Sequence, residues 1–375
     1  MRKPLIFDTT LRDGEQMPSV VFKPEEKLEL ARKFDEFGVN YIDVMPIVSE
    51  NEKNFVKRLL SEGLTAEITA SCRAKKEDID NSIACGVKRL TIFSSLSDLH
   101  LKYVMKTNRE ENLRKTLENI DYARSHGLKV DFSAVDSSRA NRDYLKDFVE
   151  KTSEKTGIFF IADSVGCLTP KKSYNLVKSV KNHCKSLIGL HMHNDFGLAT
   201  ANTFAGLEAG ADVVSGTFNG IGPTAGNAPL EEICMGLKHL YGLDLGLKYE
   251  MLGEICNLVE HYSGIELQKH KPISGEYVFD HEAGVHVAAL IEEPLTFENF
   301  DPKTIGRERR ITFGKKSGKN AVRYVLQKNS KEFSDKDIEK TLEYLKLLSE
   351  HEKRSFSENE VVKIYEKNTR NLPNL

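Results

Sequence analysis

"IGLHMHNDFGLATANTFAGLEAGADVV", residues 188–214, predicts a strand, a helix and a second strand in direct succession. The first apolar run ends in two histidines, a helical pattern follows, and Gly210 separates that helix from the second run. Glycine is common just past the end of a helix, and strands that alternate with helices usually form a parallel sheet. The stretch therefore predicts a parallel sheet whose strands are connected by helices.

The same unit repeats along the first two thirds of the chain. Eight strand-like runs precede helical patterns before about residue 241, namely PLIFDTT, YIDVMP, AEITASC, RLTIFSS, KVDFSAVD, IFFIADS, SLIGLHMH and DVVSGTFNG. Eight such units in about 240 residues match the size of a TIM (β/α)8 barrel. A doubly wound open sheet is the alternative, but no G-x-G-x-x-G follows the first strand to support it. We predict an α/β fold with a TIM barrel over residues 1–245.

The remainder of the chain follows a different pattern. Residues 247–263 predict a helix, residues 270–318 are irregular, and three further helical patterns follow. The last two of these patterns have serine at the expected N-cap position, where its side chain can accept a backbone hydrogen bond. We predict a linker and small, mostly helical, dimer-forming subdomains over residues 246–375.

The composition excludes several classes of partner. The chain has 375 residues, of which 39% are hydrophobic and 29% charged, and its net charge is −2. No basic surplus favours nucleic acid, and no apolar run approaches the roughly 20 residues that a membrane helix needs. The N-terminus has no signal-peptide pattern, and the six cysteines are scattered without a C-x-x-C pair. We therefore expect a cytoplasmic protein with reduced thiols and neither nucleic-acid nor membrane partners.

Two histidines mark the end of the predicted seventh strand. His191 and His193 are two residues apart, so their side chains share one face of the strand. Two neutral imidazoles on one face suit a divalent metal, although core histidines or a helix cap would also give this pattern. Active sites of TIM barrels lie at the carboxyl ends of the strands. The two histidines are therefore placed where a catalytic metal site is expected.

The ends of the first and eighth predicted strands carry further candidates. The first strand ends in "DTTLRDGEQ", residues 8–16, and one aspartate there with two histidines would leave coordination positions open for substrate. The eighth strand is followed by "NGIGPTAGNAPLEE", which contains Gly220, Gly222 and Gly226. Loops at this position commonly hold phosphate groups, which makes the three glycines candidate cofactor-binding residues. A tight turn is the alternative for the glycines.

Four motifs in order resemble the DRE-TIM metallolyases. They are "DTTLRDGEQ", "HMHNDFG", "NGIGPTAGNAPLEE" and "HEAGVHVAALIEEP" with a following "GKKSG", and the resemblance covers about residues 4–325. The last motif is similar to the branch of homocitrate, isopropylmalate and citramalate synthases. This resemblance implies that a divalent metal helps to condense acetyl-CoA with a 2-oxo acid and that the thioester is then hydrolysed.

The chain ends about one regulatory domain short of a typical leucine-inhibited isopropylmalate synthase. This length favours a homocitrate synthase-like enzyme with 2-oxoglutarate as acceptor. A metal-dependent (Re-type) citrate synthase, an isopropylmalate or citramalate synthase, a carbon–carbon lyase acting on a hydroxyacyl-CoA, and a catalytically impaired homologue are the alternatives.

The resemblance also implies roles for individual residues. Asp13, His191 and His193 are the implied metal ligands, and Asn227 is a further ligand or a partner of metal-bound water. Asp195 follows the histidines and is expected to orient one of them. The donor set suits Mn, Mg, Zn or Fe equally.

Further residues are implied in substrate binding and proton transfer. Arg12 would neutralise the oxyanion that forms during addition. His286 resembles an acid/base histidine that the partner subunit supplies, which implies a homodimer. The expected substrate-binding residues are Gln16, Asp43, Arg73, His100, Ser133 and Ser164.

Several positions depart from the family pattern, among them Asp43, where glutamate is usual, and Ser164, where threonine is usual. Val135 stands where a catalytic glutamate is usual, Phe297 where a tyrosine is usual, and Ser71 where homocitrate synthases often carry histidine. Asp131 lies four residues before Val135 on the same face of the predicted strand. We expect Asp131 to replace the missing glutamate in part as a catalytic group, with Asp136 as another nearby carboxylate. Binding of a substrate hydroxyl or of a lysine is the alternative role for Asp131.

Overall fold

A computed structural model describes residues 1–370, and the side chains of residues 1–367. The chain divides into two compact units, the first ending at Leu267 and the second beginning at Gln268. Within the described residues, no helix combines the length and the apolar character needed to cross a membrane.

The first unit contains a closed, eight-stranded parallel barrel, which confirms the predicted TIM-barrel fold. Each strand pairs with the next in sequence, and the last pairs with the first in the register Leu5 to Val213. The strands are β1 (Leu5–Asp8), β2 (Tyr41–Val44), β3 (Glu67–Arg73), β4 (Arg89–Ser95), β5 (Lys129–Val135), β6 (Ile158–Asp163), β7 (Leu187–Met192) and β8 (Val213–Gly216).

Helices connect the strands as the alternation predicts. They are α1 (Pro24–Phe37), α2 (Glu50–Ser61), α3 (Lys76–Ala84), α4 (Asp98–His100), α5 (Arg109–Ser125), α6 (Arg142–Thr152), α7 (Pro170–Lys181), α8 (Ala199–Glu208), α9 (Leu230–His239) and α10 (Leu252–Ser263). Side chains of Ser49, Asn108 and Asn141 accept backbone N–H groups at the starts of α2, α5 and α6. These caps satisfy donors that a helix leaves unpaired.

Short helical turns fill some of the connections. Single 3-10 turns span Gly14–Gln16, Ser137–Arg139, Phe218–Gly220 and Tyr249–Met251, and a π-helical turn spans Leu101–Met105. Helix α10 packs against α1 inside the first unit. The barrel unit therefore extends to Leu267, whereas the sequence pattern placed residues 246 onward in the appendage.

The barrel interior is packed rather than open. Phe7, Ile158, Phe160 and Val213 form a buried cluster from β1, β6 and β8. The rings of Phe7 and Phe160 meet edge to face with centroids 4.8 Å apart. Residues two positions further along the same strands face the same way, so the strand ends above this packed layer present their side chains to the mouth.

The second unit is mostly helical, as predicted. Its helices are α11 (Gly284–Glu292), α12 (Lys319–Lys328), α13 (Asp335–Glu352) and α14 (Glu358–Arg370). Two 3-10 turns span Pro294–Thr296 and Pro302–Ile305, and two short parallel strands, β9 (Asp280–His281) and β10 (Arg310–Ile311), were not predicted. Val287, Phe313, Val325, Leu345 and Phe356 belong to its buried core.

Candidate active site

Three candidate metal ligands meet at the carboxyl ends of the barrel strands. Asp13 lies in the loop after β1, His191 is near the end of β7, and His193 follows it. One potential ligand atom from each residue lies within 4.8 Å of the others, and all three residues are buried. The imidazole centroids of His191 and His193 are 5.0 Å apart. The structure thus brings together the one carboxylate and two imidazoles that the sequence singled out.

Two buried atoms beside this cluster have no hydrogen-bond partner among the described residues. They are Nδ1 of His193 and Oδ1 of Asn227. Asn227 uses its other amide atom, Nδ2, to donate to Asp13 Oδ2 at 2.8 Å and to the carbonyl of Ile221 at 3.1 Å. Buried polar atoms are rarely left unpaired. A divalent cation would satisfy such atoms, so the donor set fits a metal.

Burial and charged neighbours together keep Asp13 and His193 in the protonation states that bind a metal. Burial raises the pKa of Asp13, but the Arg12 guanidinium and the imidazoles outweigh it and hold that pKa well below its usual range. Burial and the neighbouring His191 lower the pKa of His193 to about 4. The carboxylate is therefore ionised and this imidazole neutral at physiological pH, as metal coordination requires.

Arg12 is fixed between two carboxylates. Its Nε donates to Asp43 Oδ2 at 2.8 Å, and its Nη1 contacts Asp13. The hydroxyl of Ser71 reaches the other side of Asp43, at 2.8 and 2.9 Å from the two carboxylate oxygens. Burial raises the pKa of Asp43 above its ordinary value. The sequence suggested that Asp43 lines the cavity and binds substrate. Instead, Asp43 lies beneath Arg12 and orients it.

A cavity of about 250 Å³ opens in front of this cluster. Three of the expected substrate-binding residues line it, namely Gln16, Ser133 and Ser164. The Ser164 hydroxyl accepts the backbone N–H of Asp136 at 2.9 Å. The remaining lining residues are Arg12, Asp13, Met45, Ser71, Phe93, Val135, Ala162, His191, His193 and Pro223.

Two other expected substrate-binding residues are engaged elsewhere. Arg73 forms a two-pronged ion pair with Asp78 at 2.6 and 2.8 Å, and 53% of its side chain is exposed. His100 Nδ1 lies 3.1 Å from Ser95 Oγ, and its Nε2 lies 3.6 Å from Asp136. Neither residue contributes to the lining of the cavity.

Asp131, expected as a catalytic group, lies away from the cavity. Asp131 lies near the start of β5 and binds Arg89 through both oxygens, at 2.6 and 2.9 Å. It also accepts the backbone N–H of Ile158 at 2.9 Å and is fully buried. Residues 131 and 135 share a face, but four residues of a strand span about 13 Å. Asp131 therefore belongs to the amino end of the barrel, far below the cavity wall formed by Val135.

Asp136, the other nearby carboxylate, is likewise held in a buried ion pair. Its carboxylate is fully buried and binds Arg139, with Nε 2.8 Å from Oδ1 and Nη2 2.7 Å from Oδ2. The Ser97 hydroxyl donates to the same carboxylate. Asp195, expected to orient a histidine, has its Oδ2 buried without a hydrogen-bond partner among the described residues.

The glycine-rich loop folds tightly on itself. Gly226 has a φ of +86°, and a Cβ placed there would lie 1.9 Å from the carbonyl oxygen of Gly220. The backbone N–H of Asn227 donates to that carbonyl at 3.0 Å, and Asn194 N–H donates to the carbonyl of Gly226 at 2.9 Å. The loop is thereby joined to the chain that follows His193. Gly220 and Gly226 hold Asn227 in place, whereas coenzyme binding by Gly220, Gly222 and Gly226 stays a prediction.

His286 lies in the second unit, in the first turn of α11. Its ring stacks on that of Phe297 with centroids 4.0 Å apart, and both side chains are exposed. Phe297 is the position at which the family usually has tyrosine. The acid/base role of His286 stays a prediction.

Several residues that line the cavity were not predicted from the sequence. Met45, Phe93 and Ala162 face inward in step with residues already recognised on neighbouring strands. Strand alternation would have identified them. Ser215 on β8 was also missed, and its Oγ lies 3.0 Å from His191 Nδ1. That contact orients the imidazole, as partners of metal-binding histidines usually do.

Two family profiles match the chain in succession. The HMGL-like family matches residues 3–259, and the homocitrate synthase post-HMGL domain-like family matches residues 273–353. The chain belongs to the HMGL-like family. Within that family, its similarity to curated homocitrate and isopropylmalate synthases places it in the DRE-TIM branch predicted from the motifs.

Relatives of this chain include proteins named homocitrate synthase and proteins named 2-isopropylmalate synthase. It is 50% identical to homocitrate synthase AksA of Methanocaldococcus jannaschii, over 86% of this chain and 80% of that protein. It is 41% identical to a probable 2-isopropylmalate synthase of Methanopyrus kandleri, over 92% of this chain and 70% of that protein. Among solved structures, the HMG-CoA lyase of Bacillus subtilis superposes with a TM-score of 0.65 at 20% identity, over 71% of this chain and 96% of that one. This last likeness concerns the fold alone.

Proposed function

We propose that this chain condenses acetyl-CoA with a 2-oxo acid and then hydrolyses the thioester. The observation that carries the proposal is the buried cluster of Asp13, His191 and His193 beside Arg12, at the mouth of a cavity in a TIM barrel. The match of residues 273–353 to a homocitrate synthase module supports a condensing enzyme. The name of the AksA relatives supports 2-oxoglutarate as the first acceptor to test.

The reaction forms one carbon–carbon bond and breaks one carbon–sulfur bond. A base removes a proton from the methyl group of acetyl-CoA, and the resulting enolate carbon adds to the keto carbon of the oxo acid. The keto oxygen receives the electron pair and is protonated to a hydroxyl group. Water then attacks the thioester, which releases free CoA thiol and a second carboxylate.

The residues of the cavity support separate parts of this reaction. Arg12 faces the cavity and would stabilise the oxyanion that develops on the keto oxygen, because its orientation is already fixed by Asp43. Gln16 and Ser164 would bind the carboxylate of the oxo acid. Asp13, His191 and His193, with Asn227, would hold a divalent metal. Such a metal, when bound, supplies Lewis-acid polarisation and a template for the substrate.

Release of free thiol tests the proposal directly. Purified chain supplied with Mn²⁺, Mg²⁺, Zn²⁺ or Fe²⁺ and acetyl-CoA should release CoA thiol only when an oxo acid is added. The panel should contain 2-oxoglutarate, oxaloacetate, pyruvate and 2-oxoisovalerate, with Asp13→Asn as the inactive control. Cleavage of a hydroxyacyl-CoA without thiol release would instead indicate a carbon–carbon lyase, the activity that the loss of glutamate at Val135 favours.

We further propose a homodimer in which the partner's His286 completes each site and moves protons. The exposed position of His286 supports this arrangement, and Val135 offers no proton at the cavity wall.

The six cysteines form no disulfide within the described residues, which supports a reducing cytoplasmic location.

Mixing two inactive variants tests the shared site. His286→Ala and Asp13→Asn subunits, combined at equal amounts, should recover about a quarter of wild-type activity, because half of the dimers then hold one intact site of two. Each variant mixed with itself is the control. If subunits exchange, as native mass spectrometry can establish, and activity stays at background, the shared site is refuted.

A further inference from the structure

The walls of the cavity divide into a catalytic half and an opposite half. In the closed strand order, β1, β8 and β7 are neighbours, and β3, β4 and β5 lie across the barrel from them. The metal-ligand candidates come from the first group. Ser71, Phe93, Ser133 and Val135 come from the second group and line the same cavity. We call these four residues the far wall.

The far wall would receive the side chain of the oxo acid. This step rests on the proposed function, in which the keto and carboxylate groups of the acceptor lie at the metal-ligand cluster. The remainder of a small oxo acid then extends across the mouth. It would meet the ring of Phe93, the methyl groups of Val135 and two hydroxyl groups.

The far wall offers no positive charge. Among the described residues that line the cavity, Arg12 is the only arginine or lysine, and it already contacts Asp13 and Asp43. The nearest arginine along β3 is Arg73, which is paired with Asp78 outside the lining. A carboxylate buried without a cation or several hydrogen bonds is strongly disfavoured.

Ser71 adds a reason against an anion at this wall. Its hydroxyl lies 2.8 and 2.9 Å from the two oxygens of Asp43 and donates to that carboxylate. The proton of Ser71 is therefore committed, and only its lone pairs are left for the cavity. A second substrate carboxylate would face these lone pairs, with the carboxyl group of Asp43 directly behind them.

We infer that the acceptor is a monocarboxylic 2-oxo acid with a short, uncharged aliphatic side chain, rather than an oxo diacid. The acceptor thus differs from the 2-oxoglutarate that the names of the homocitrate synthase relatives suggest. Ser71, Phe93 and Val135 are the residues that determine this choice. The cavity volume of about 250 Å³ is below the usual range for drug-sized ligands and suits an acid of a few carbons.

Binding measured without turnover tests the inference. Isothermal titration of the chain supplied with Mg²⁺ or Mn²⁺ should give Kd values at least about tenfold lower for 2-oxobutyrate and 2-oxoisovalerate than for 2-oxoglutarate and oxaloacetate. Val135→Lys, which adds a cation to the far wall, should shift the ratio of Kd values at least about tenfold toward the diacids. Val135→Met, similar in length but uncharged, is the matched control and should leave the preference for monoacids.

The outcomes separate the acceptor from the reaction. Wild-type binding of diacids as tight as that of monoacids overturns the inference, and thiol release with 2-oxoglutarate alone would do so while the proposed function stands. Preference for monoacids without thiol release supports the far wall and overturns the proposed reaction. An equal effect of Val135→Lys and Val135→Met also counts against the inference, because the added charge would then be irrelevant.

Discussion

Two buried arginine–aspartate clusters lie at opposite ends of the same barrel. At the amino end, Arg89 binds both oxygens of Asp131, contacts Glu67 at 3.0 Å and lies over the ring of Tyr41 at 4.8 Å. Asp131 accepts a backbone N–H as well. At the carboxyl end, Arg12 also contacts two carboxylates, but a cavity opens beside it.

The two clusters differ in whether they leave buried polar atoms without a hydrogen-bond partner. The Arg89 cluster pairs its charges with one another, which is typical of a network that stabilises the fold. Beside Arg12, atoms of His193 and Asn227 are buried without a partner among the described residues. Two clusters with the same residue types can therefore be separated into a structural and a chemical one by their hydrogen bonding. This agrees with the division of TIM barrels into a stability face and a catalytic face.

The largest expected effect is the loss of bound metal and of activity in variants at the carboxyl end of the barrel. Asp13→Asn and His193→Ala should each lose tightly bound metal, and thiol release should fall to background, because each removes one of three ligands. The barrel core is untouched, so both variants should stay folded, and Asp13→Asn should lower the melting temperature without metal because it removes a partner of the Arg12 guanidinium. Elemental analysis beside a thermal melt is the measurement, and full metal occupancy in both variants would refute the ligand assignment.

Asp131→Asn should lower the stability of the fold and leave metal binding and activity unchanged. It removes one partner of a buried ion pair, so the free energy of unfolding should fall by about 3–5 kcal/mol, as measured by urea denaturation. Metal content and thiol release per folded molecule should match wild type. The double variant Arg89→Met/Asp131→Leu removes both charges and should recover part of the stability. A loss of activity without loss of stability would return Asp131 to the catalytic residues.

Arg12→Lys should lower kcat by about 10²–10³-fold while metal stays bound. Lysine presents a single ammonium group and cannot contact Asp13 and Asp43 as the planar guanidinium does, so its charge is misplaced for the developing oxyanion. Thiol-release kinetics with metal analysis measures this. Arg58→Lys, at an exposed pair with Glu25, is the control. Equal kcat for Arg12→Lys and wild type would show that Arg12 serves the fold alone.

A pH-dependent effect on stability is expected at Asp8, a buried carboxyl at the end of β1. Burial raises its pKa to about 8, while hydrogen bonds from Thr10 lower it. Folding therefore favours the protonated form, and stability is lost as pH rises from about 4 through 8. Asp8→Asn cannot ionise, so its melting temperature relative to wild type should increase between pH 5 and pH 9. A difference that does not change with pH would contradict the raised pKa.

The barrel and its metal-ligand candidates could be predicted because both depend on short-range patterns. Glycine-terminated helices between apolar runs specified the strand–helix units, and the two-residue spacing of His191 and His193 specified a shared face. Position predicted only an aspartate in the loop after the first strand, and the family resemblance then implied that it is Asp13. The positional inferences need only the direction of a side chain and the end of the strand from which it comes.

Depth along the barrel and side-chain pairing could not be read in this way. Asp131 and Val135 share a face but lie about 13 Å apart along the strand. Asp43 faces inward but is covered by Arg12. Arg73 forms an ion pair with Asp78, five residues later in the chain. These outcomes depend on which neighbours reach each other across strands. Nothing local to the sequence encodes that choice, and the same limit applies to the short strands of the second unit.

The loop after β8 has a consequence for how such enzymes diversify. Main-chain hydrogen bonds through Gly220 and Gly226 hold Asn227 beside the metal-ligand candidates, and a side chain at Gly226 would collide with its own loop. Substitution is therefore blocked there, while Phe93 and Val135 occupy strands that do not carry those ligands. A duplicated gene can exchange the latter residues without disturbing the former. Within one lineage, the ancestral chemistry can be inherited intact while new acceptors are acquired by a few substitutions on the opposite strands.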